Sequence, residues 1–509
     1  MTLFKLNPLA AACAAALSLS AGQALALTPF EAPDVDIYLS GASAPQNLLG
    51  EIAKKMFVGT EGTDYFVYYD NGGTPALSTT SDDGKSYRAY YGVVKNDPSI
   101  KTSLHGKKVL LVNRAKGGSV WGVNPVARAE AIATMKIDSA SCVLDAGKYR
   151  CPQVGNDLAV DANNRIPDFG VSDVEPNMFK GPLNVEFGAT QLTPAEAAVF
   201  AGTQFGANSL MMGIVATNAV PDTLPISRAE YGAMLTGNIG DWSQVADGST
   251  TGAVAVCRRV QGSGTQASYN WFFNNFPCAK DGLHGTAAST EPARMKDSVG
   301  YDGAHAGTTA DPILIDPSAG YTVVENPSSG NVRDCLARAQ SGTDHTFTGD
   351  DGKVYKVRFS LAPATKAIGV LSLDSLGSES GWSFRALDGA GKLTGIGSFA
   401  CSNANQLECG IAPVKANHRE GRYDFAVELS FQYRNATVNA VPALGGLKKD
   451  VADEFVELIG DPTVLSTLAA GPKEATIALP INYNPTLDTN VAKATHFGNT
   501  CAPLQKLTF

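Results

Sequence analysis

A turn rich in glycine and hydroxyl groups, with an arginine close by, is the part of this chain best suited to chemistry. Residues 261–265 read Gln-Gly-Ser-Gly-Thr, and Arg259 stands two residues before them. A helix that starts in such a turn leaves its first N–H groups unpaired and carries a partial positive charge, which favours an oxyanion. Ser263 and Thr265 add hydroxyl donors, and Arg259 adds a full charge in fork geometry. The turn predicts either an oxyanion site or an ordinary helix start capped by Ser263.

Two strand–turn–helix units are predicted to position such a site. Residues 253–259 are apolar and β-prone before the glycine-rich turn, and a plausible amphipathic helix follows it. Near the N-terminus, residues 36–40 predict a strand, residues 41–45 a turn of small residues, and residues 46–57 a helix with one apolar face. Strands that alternate with helices predict a mainly parallel sheet, and such sheets bind ligands at the carboxyl ends of their strands.

Further strands and helix starts support an α/β class. Residues 108–112 predict a buried strand, and residues 167–173 form a short apolar run that ends in polar residues. Thr193 and Ser227 each begin a capping box, with the second helix extending through Leu235. Three acidic turns are flanked by β-prone residues and are predicted to be hairpin turns rather than calcium loops, because they lack the EF-hand pattern. They span residues 82–85, 350–353 and 388–392.

The N-terminus has the pattern of a secretory signal peptide. Lys5 precedes an apolar stretch over residues 9–19, and residues 24–26 form an Ala-Leu-Ala cleavage site. Cleavage near Ala26 predicts a periplasmic or secreted protein. No later stretch approaches the roughly 18 uninterrupted apolar residues of a membrane helix, so no membrane span is expected.

Eight cysteines remain after residue 26, and an even count in an exported chain predicts disulfides. Sequence alone does not fix their connectivity. Proximity along the chain favours pairing Cys142 with Cys151, Cys257 with Cys278, and Cys401 with Cys409, which leaves Cys335 with Cys501. No Cys or His spacing is typical of a metal site, so neither metal nor cofactor is expected.

The chain is acidic, with a formal net charge of −9. This charge and the lack of a basic run argue against nucleic acid as a partner. An anionic ligand would therefore need a local positive pocket such as the one around Arg259. The length of 509 residues fits two lobes of common domain size, and a monomer is expected.

Five motifs, in order along the chain, resemble those of one known family. Residues 41–45, Gly-Ala-Ser-Ala-Pro, are similar to its Gly-Ala-Thr-Phe-Pro, and residues 169–173, Phe-Gly-Val-Ser-Asp, to its Phe-Gly-Ala-Ser-Asp. Residues 237–242 resemble its Gly-Lys-Ile-x-x-Trp, residues 259–265 its Arg-x-Asp-Gly-Ser-Gly-Thr, and residues 368–370 its Ile-Gly-Tyr. The family is the PstS-like branch of the periplasmic type 2 solute-binding proteins, the phosphate-binding proteins of bacterial ABC transporters. The match covers about half of the mature chain and is stretched by insertions.

The resemblance implies a two-lobed α/β fold of mixed, mainly parallel sheets with a hinge between the lobes. The first lobe would comprise residues 27–210 and, after the return of the chain, residues 368–509. Residues 211–367 would form the second lobe, with crossings near residues 211–220 and 368–373. Phosphate or a related oxyanion would be held between the lobes for ABC-type uptake, with a permease as partner.

The resemblance also implies a ligand set. Ser43 and the Ala44 amide would donate from the first lobe, with Ser119 as a further hydroxyl. The second lobe would donate through Arg259, Ser263, Gly264 and Thr265.

Asp173 would accept the proton of hydrogen phosphate and would repel sulfate, which offers no proton. Two departures bear on this set. Gln261 stands where the family has an Asp that steadies the arginine, and Ala44 replaces a Phe that walls the site, which predicts a wider pocket. A phosphoester or another oxyanion therefore stays open as the ligand.

Two other function classes compete with a binding protein. A serine hydrolase would use Ser263 or Ser43 as nucleophile, but no histidine lies near either in sequence and no Gly-x-Ser-x-Gly elbow is present. A secreted surface protein would keep the fold and lose the ligand, which the insertions and cysteines would suit. The binding protein, which is not an enzyme, is favoured by the ordered motifs.

Overall fold

The computed structural model describes residues 27–70, 84–181, 183–185, 190–246, 248–278, 292–403, 405–483 and 485–508. The predicted signal peptide, and residues 82 and 83 of one predicted turn, lie outside these residues. The α-helices are α1 (Gln46–Met56), α2 (Asn124–Arg128), α3 (Pro194–Ala197), α4 (Arg228–Leu235), α5 (Gly264–Asn274), α6 (Ser329–Ser341), α7 (Lys415–Arg419), α8 (Gly446–Gly460), α9 (Pro462–Ser466) and α10 (Ala470–Ala475). Short 3-10 helices are also present in several connections between these elements.

The strands include those predicted over residues 36–40, 108–112 and 253–259. They are β1 (Val35–Gly41), β2 (Tyr65–Asp70), β3 (Tyr87–Val93), β4 (Lys108–Arg114), β5 (Thr134–Met135), β6 (Val143–Asp145), β7 (Lys148–Cys151), β8 (Gln153–Val154), β9 (Phe169–Ser172), β10 (Gln204–Thr217), β11 (Ala255–Arg259), β12 (Tyr301–Asp302), β13 (Ile313–Ile315), β14 (Thr322–Asn326), β15 (His345–Thr348), β16 (Val354–Val357), β17 (Ala367–Ser372), β18 (Trp382–Phe384), β19 (Lys392–Gly395), β20 (Ser398–Ala400), β21 (Ala426–Tyr433), β22 (Thr476–Ala478), β23 (Ala494–Thr495) and β24 (Gln505–Lys506).

One large mixed sheet organises the molecule, which confirms the predicted α/β class. Its order is β14-β11-β17-β10-β21-β9-β1-β4-β3-β2-β7-β6, and β18 and β22 also pair with β10. Pairing is parallel around β1, which lies between β9 and β4, and around β11, which lies between β14 and β17. It is antiparallel where β10 meets β17 and β21. Two sets of parallel strands are thus joined through antiparallel strands.

Strand β10 connects these two sets. Its first part pairs with β21 up to Met211, and its second part pairs with β17 from Met212 onward. The crossings predicted near residues 211–220 and 368–373 therefore fall on two neighbouring antiparallel strands. We call β9, β1 and β4 with their helices the first half of the sheet, and β11, β14 and β17 with theirs the second half. The division of the chain into lobes stays a prediction.

The core is continuous across both halves of the sheet. Leu48, Leu49, Ile52 and Met56 of α1 are fully buried, as its predicted apolar face requires. Thr193 and Ser227 accept from the backbone three residues on and complete the predicted capping boxes. Within the described part of the chain, no helix combines the length and apolar character that crossing a membrane demands.

The disulfides confirm two predicted pairs and correct the other two. Cys142–Cys151 and Cys401–Cys409 form as expected. The predicted pairs Cys257–Cys278 and Cys335–Cys501 are wrong, because the bonds are Cys257–Cys335 and Cys278–Cys501.

Packing rather than distance along the chain decides the two corrected pairs. Helix α6 packs on β11, which brings Cys335 to Cys257 across 78 residues of sequence. The C-terminal segment packs against α5, where the rings of Trp271 and His496 lie 5.2 Å apart, and this brings Cys501 to Cys278.

Candidate functional site

The residues predicted to bind a ligand come together in one buried cluster. None of their side chains is more than 2% exposed. Both halves of the sheet contribute, although the motifs are far apart in sequence. We call this set the Arg259 cluster; it consists of Ser43, Ala44, Ser119, Asp173, Arg259, Ser263, Gly264 and Thr265.

The carboxyl ends of parallel strands position the cluster. Strand β11 ends at Arg259, and helix α5 begins at Gly264. Ser263 is the N-cap of α5, and its hydroxyl accepts from the amide of Gln266 at 3.4 Å. In the first half, Asp173 follows β9 and Ser43 follows β1. Because β9, β1 and β4 are adjacent and parallel, their carboxyl ends meet at one edge of the sheet, where open α/β sheets bind their ligands.

Arg259 joins the two halves through its guanidinium. Its Nη1 donates to the hydroxyl of Ser43 at 2.6 Å and to that of Ser329 at 3.4 Å. Its Nε and Nη2 donate to the carbonyls of Asn326 at 3.2 Å and Pro327 at 2.9 Å. All these acceptors are uncharged, and in the described part of the chain Arg259 forms no salt bridge with a carboxylate. The cluster thus contains a buried cation held by neutral groups.

Asp173 is the carboxylate of the cluster and is fully buried. Its Oδ2 accepts from the hydroxyl of Thr265 at 3.0 Å, and its amide donates to the hydroxyl of Ser119 at 3.2 Å. Its Oδ1 is buried and has no hydrogen-bond partner among the residues described. Such an acceptor costs about 1 to 3 kcal/mol when it stays unpaired in the interior. A ligand that brings a proton donor would satisfy it.

Burial shifts the pKa of both charged groups toward their neutral forms. It raises the pKa of Asp173 to about 6, although the hydroxyl of Thr265 and the charge of Arg259 act in the opposite direction. It lowers the pKa of Arg259 to about 10, against the opposing charges of Asp173 and Asp350. Asp173 is therefore a carboxyl whose protonation changes in the same range of pH as that of hydrogen phosphate, whose second pKa is about 6 to 7.

Close backbone contacts hold the two halves together at the cluster. The Val120 amide donates to the Gly262 carbonyl at 2.9 Å. A Cβ atom at Gly264 would lie 2.3 Å from the hydroxyl of Ser119 and 2.7 Å from Cβ of Asp173. Glycine is required there because α5 begins directly against the first half. Gly118 has a φ of 96°, and a Cβ added there would lie 2.6 Å from Cα of Ser263. This position in the first half also requires glycine, because Ser263 of the second half packs directly against it.

Two predicted departures from the family pattern have structural counterparts. The side-chain oxygen of Gln261 accepts a hydrogen bond from Nη1 of Arg294 at 2.9 Å. The oxygen of Gln261 is therefore bonded to Arg294. Ala44 is buried, and its carbonyl accepts from the hydroxyl of Ser372 at 2.6 Å. Residue 44 is therefore tied to β17 through its backbone.

Sequence reasoning missed Ser329, which belongs with the cluster. Its hydroxyl lies 3.0 Å from that of Ser43, and its amide donates to the same Ser43 oxygen at 3.1 Å. Ser329 is the first residue of α6, which follows β14 and a short turn. Residues 322–330 carry the signal that was available, a β-prone run followed by Asn-Pro-Ser-Ser-Gly, which is the third strand–small turn–helix pattern in the chain.

Comparisons with known proteins give structural likeness alone. No family model matches the chain, and no curated protein matches it. Among solved structures, it is similar to a DING protein at 14% identity, with 88% of this chain and 92% of that chain covered and a TM-score of 0.40. A phosphate-binding protein from Stenotrophomonas maltophilia shares 13% identity, with 87% of each chain covered and a TM-score of 0.33.

A third similar structure is an ABC-type phosphate transport receptor from Vibrio cholerae. It shares 13% identity, with 57% of this chain and 74% of that chain covered, and the TM-score is 0.28. Because these TM-scores are low, the function proposed next rests on the contacts of the Arg259 cluster.

Proposed function

We propose that this protein binds phosphate, or a closely related oxyanion that retains a proton, in the Arg259 cluster. The observation that carries the proposal is the buried guanidinium of Arg259, which has only uncharged acceptors among the described residues. Leaving a buried charge without a counter-ion is costly, and an anion would supply one. Arginine also suits phosphate geometrically because its planar fork can donate to two oxygens at once.

Asp173 gives the site its selectivity. Its free Oδ1 can accept a hydrogen bond, but when ionised it cannot donate one. Hydrogen phosphate offers both a proton for this oxygen and unprotonated oxygens for the donors of Arg259, Ser43 and Thr265. Sulfate has no proton at neutral pH, so one of its oxygens would face the lone pairs of Asp173. The cluster should therefore prefer phosphate to sulfate.

The role that fits this site is solute binding in an exported protein, with an ABC permease as the partner for uptake. The predicted signal peptide and the four disulfides support export. Lobes that close around the ligand are the expected mechanical response, because Arg259 and Ser43 come from opposite halves of the sheet. The hydroxyls of Ser43 and Ser263 are bonded to groups other than histidine in the described residues, which supports binding rather than hydrolysis.

Isothermal titration calorimetry with phosphate and sulfate tests the proposal. Wild type should give saturable heat with phosphate and about 10- to 100-fold weaker binding of sulfate at neutral pH, as expected for an unmatched buried pair of acceptors. Asp173→Asn should weaken phosphate binding and reduce the discrimination. Asp302→Asn, which removes the same charge at a site with a 57% exposed side chain, is the control and should behave as wild type.

Either of two results would count against the proposal. Absence of heat with phosphate, together with an unchanged melting temperature, would remove the binding function and favour the surface-protein alternative. Turnover of a chromogenic phosphate ester that is lost in Ser43→Ala or Ser263→Ala would favour the hydrolase.

A further inference from the structure

A cavity of about 780 Å³ adjoins the Arg259 cluster. We call it the side cavity; its wall includes Val120, Trp121, Ile132, Asp157, Leu158 and Asp350. It lies next to the cluster without including any cluster residue in its wall, since Val120 lines it, follows Ser119 directly and donates its amide to the Gly262 carbonyl. A cavity of this volume is in the range that holds drug-sized ligands and is far larger than a single phosphate ion requires.

Segments that are far apart in the chain contribute to the wall of the side cavity. Leu158 lies in the loop between β8 and β9, whereas Asp350 lies in the turn between β15 and β16 of a separate four-stranded sheet, a predicted hairpin that the structure confirms. The two segments approach each other closely, since a Cβ at Gly352 would be 3.8 Å from Cδ1 of Leu158. The wall of the side cavity is formed mainly by residues 120–132 and 157–164, and Thr190 and the turn at residues 350–351 complete it.

The wall combines apolar surface with an excess of carboxylates. Val120, Trp121 and Ile132 provide apolar surface, and Leu158 and Val160 are 71% and 104% exposed. The charged lining residues are five acids and one base: Glu130, Asp157, Asp161, Asp350, Asp351 and Arg128. The single base is already neutralised, because Nε of Arg128 donates to Glu196 at 2.7 Å. An organic group with a positive charge complements such a wall.

Asp350 is the acid of the wall whose carboxylate lacks hydrogen-bond donors within the part of the chain that the structure describes. Both of its carboxylate oxygens are buried and have no hydrogen-bond partner among the described residues. Burial raises its pKa to about 6, although the positive charges of Lys116, Arg259 and Arg114 favour ionisation. Asp157, in contrast, is bound by Arg114 through two hydrogen bonds of 2.9 and 3.0 Å. An ammonium group, which has three N–H donors, would satisfy what Asp350 lacks.

We propose that the physiological ligand is a phosphomonoester of an amino alcohol, with its phosphate in the Arg259 cluster and its ammonium group in the side cavity. The proposal rests on the function proposed above and narrows its ligand class. A monoester keeps three terminal phosphate oxygens, and its monoanion keeps the proton that Asp173 accepts. The ester oxygen then leads toward Val120 and the carboxylates beyond it.

Calorimetry with three probes tests this inference: inorganic phosphate, glycerol 3-phosphate and O-phosphoethanolamine. The two esters are similar in size, but glycerol 3-phosphate carries hydroxyl groups where O-phosphoethanolamine carries an ammonium group. Wild type should bind O-phosphoethanolamine about 10-fold more tightly than glycerol 3-phosphate, the effect of one partly buried charge pair. The readout is the ratio of the two dissociation constants, in which any change at the phosphate group cancels.

Two variants locate the ammonium group. Asp350→Asn should bring the ratio close to one, whereas the exposed control Asp302→Asn should leave it unchanged. Val160→Lys changes a fully exposed residue, should not disturb folding, and should lower the ratio by placing a cation beside the side cavity. Circular dichroism and the melting temperature confirm that each variant is folded.

The outcomes separate this inference from the proposed function. If phosphate and both esters all fail to bind, the proposed function falls and the inference falls with it. If phosphate binds but the esters do not, or the wild-type ratio is near one, the inference is overturned while the function stands. A wild-type preference that survives both Asp350→Asn and Val160→Lys would place the ammonium group elsewhere and would also overturn it.

Discussion

The Arg259 cluster and the side cavity are neighbours with opposite character. The cluster is buried, and hydrogen bonds join Arg259 to Ser43 at 2.6 Å and Thr265 to Asp173 at 3.0 Å. The side cavity is open to solvent at Leu158 and Val160, and the two carboxylate oxygens of Asp350 have no partner in the described chain. The cluster is composed of motif residues at strand ends, and the side cavity is walled largely by segments outside the motifs. Under the two proposals, the motif residues would bind the phosphate group and the residues of the side cavity would bind the group attached to it.

The largest effect is expected from removing the cation of the cluster. Arg259→Ala should reduce phosphate affinity by at least about 100-fold. The substitution removes the positive charge that would balance the phosphate, and it leaves Ser43 and Asp173 without the neighbouring guanidinium. Arg128→Ala, at the side cavity, should change phosphate affinity by less than about 3-fold, since Arg128 is paired with Glu196. Calorimetry measures both. Equal losses of phosphate affinity in the two variants would contradict the claim that the cluster, and not the side cavity, binds the phosphate group.

The second effect concerns the dependence of stability on pH. Burial raises the pKa of Asp173 to about 6 from 3.8, so the folded state holds this proton more tightly than the unfolded chain. The free energy of unfolding of the ligand-free protein should therefore fall as the pH rises from about 4 to above 6. Asp173 contributes up to about 3 kcal/mol to that fall. Urea unfolding at several pH values measures it.

Single variants measure how much of this pH dependence of the unfolding free energy comes from the Arg259 cluster and how much from the side cavity. Asp173→Asn and Asp350→Asn should each flatten the profile, because burial raises the pKa of both carboxyls to about 6. A profile that keeps its full slope in Asp173→Asn would show that this carboxyl is solvated in the ligand-free protein.

The third effect tests how tightly the cluster is packed. Gly264→Ala should destabilise the protein by about 1 to 3 kcal/mol and weaken phosphate binding, because the added methyl group overlaps Ser119 and Asp173. Gly395→Ala is the matched control, since no atom lies within 4 Å of its added Cβ. Thermal melts with and without phosphate report both quantities. If the two variants have the same melting temperature, the halves are not in contact at Gly264.

The smallest effect concerns the member that sequence reasoning missed. Ser329→Ala removes one hydroxyl that lies near Ser43 and Arg259, and should weaken phosphate binding by about 5-fold, equivalent to about 1 kcal/mol. Ser341→Ala at the other end of α6 is exposed and should have no effect. An unchanged affinity in Ser329→Ala would limit the site to the residues found from the motifs.

Local elements were predictable because their signals are contained in a few consecutive residues. The strand predicted over residues 36–40 is β1 (Val35–Gly41), and the helix predicted over residues 46–57 is α1 (Gln46–Met56). The apolar run before Arg259 and the glycine-rich turn after it give β11 and α5. A hydrophobic period and a small-residue turn suffice to define such units.

The parts that sequence did not reveal depend on packing between distant segments. Cys257 pairs with Cys335 because α6 lies on β11, which no spacing along the chain encodes. Ser329 reaches Ser43 across 286 residues. The side cavity needs the turn at Asp350 to approach the loop at Leu158, so its existence follows from the relative placement of two added segments. The members of the Arg259 cluster could be predicted from the ordered motifs, whereas the residues around the cluster could be identified only from the three-dimensional structure.

The most direct test of the central claim is a crystal structure of the protein grown with phosphate at about 10 mM, well above the dissociation constants typical of specific small-ligand sites. We predict one phosphate between the two halves of the sheet, with one oxygen bonded to Nη1 of Arg259 and a protonated oxygen bonded to Oδ1 of Asp173. Phosphate bound at another place, with both of these atoms unchanged, would contradict the account.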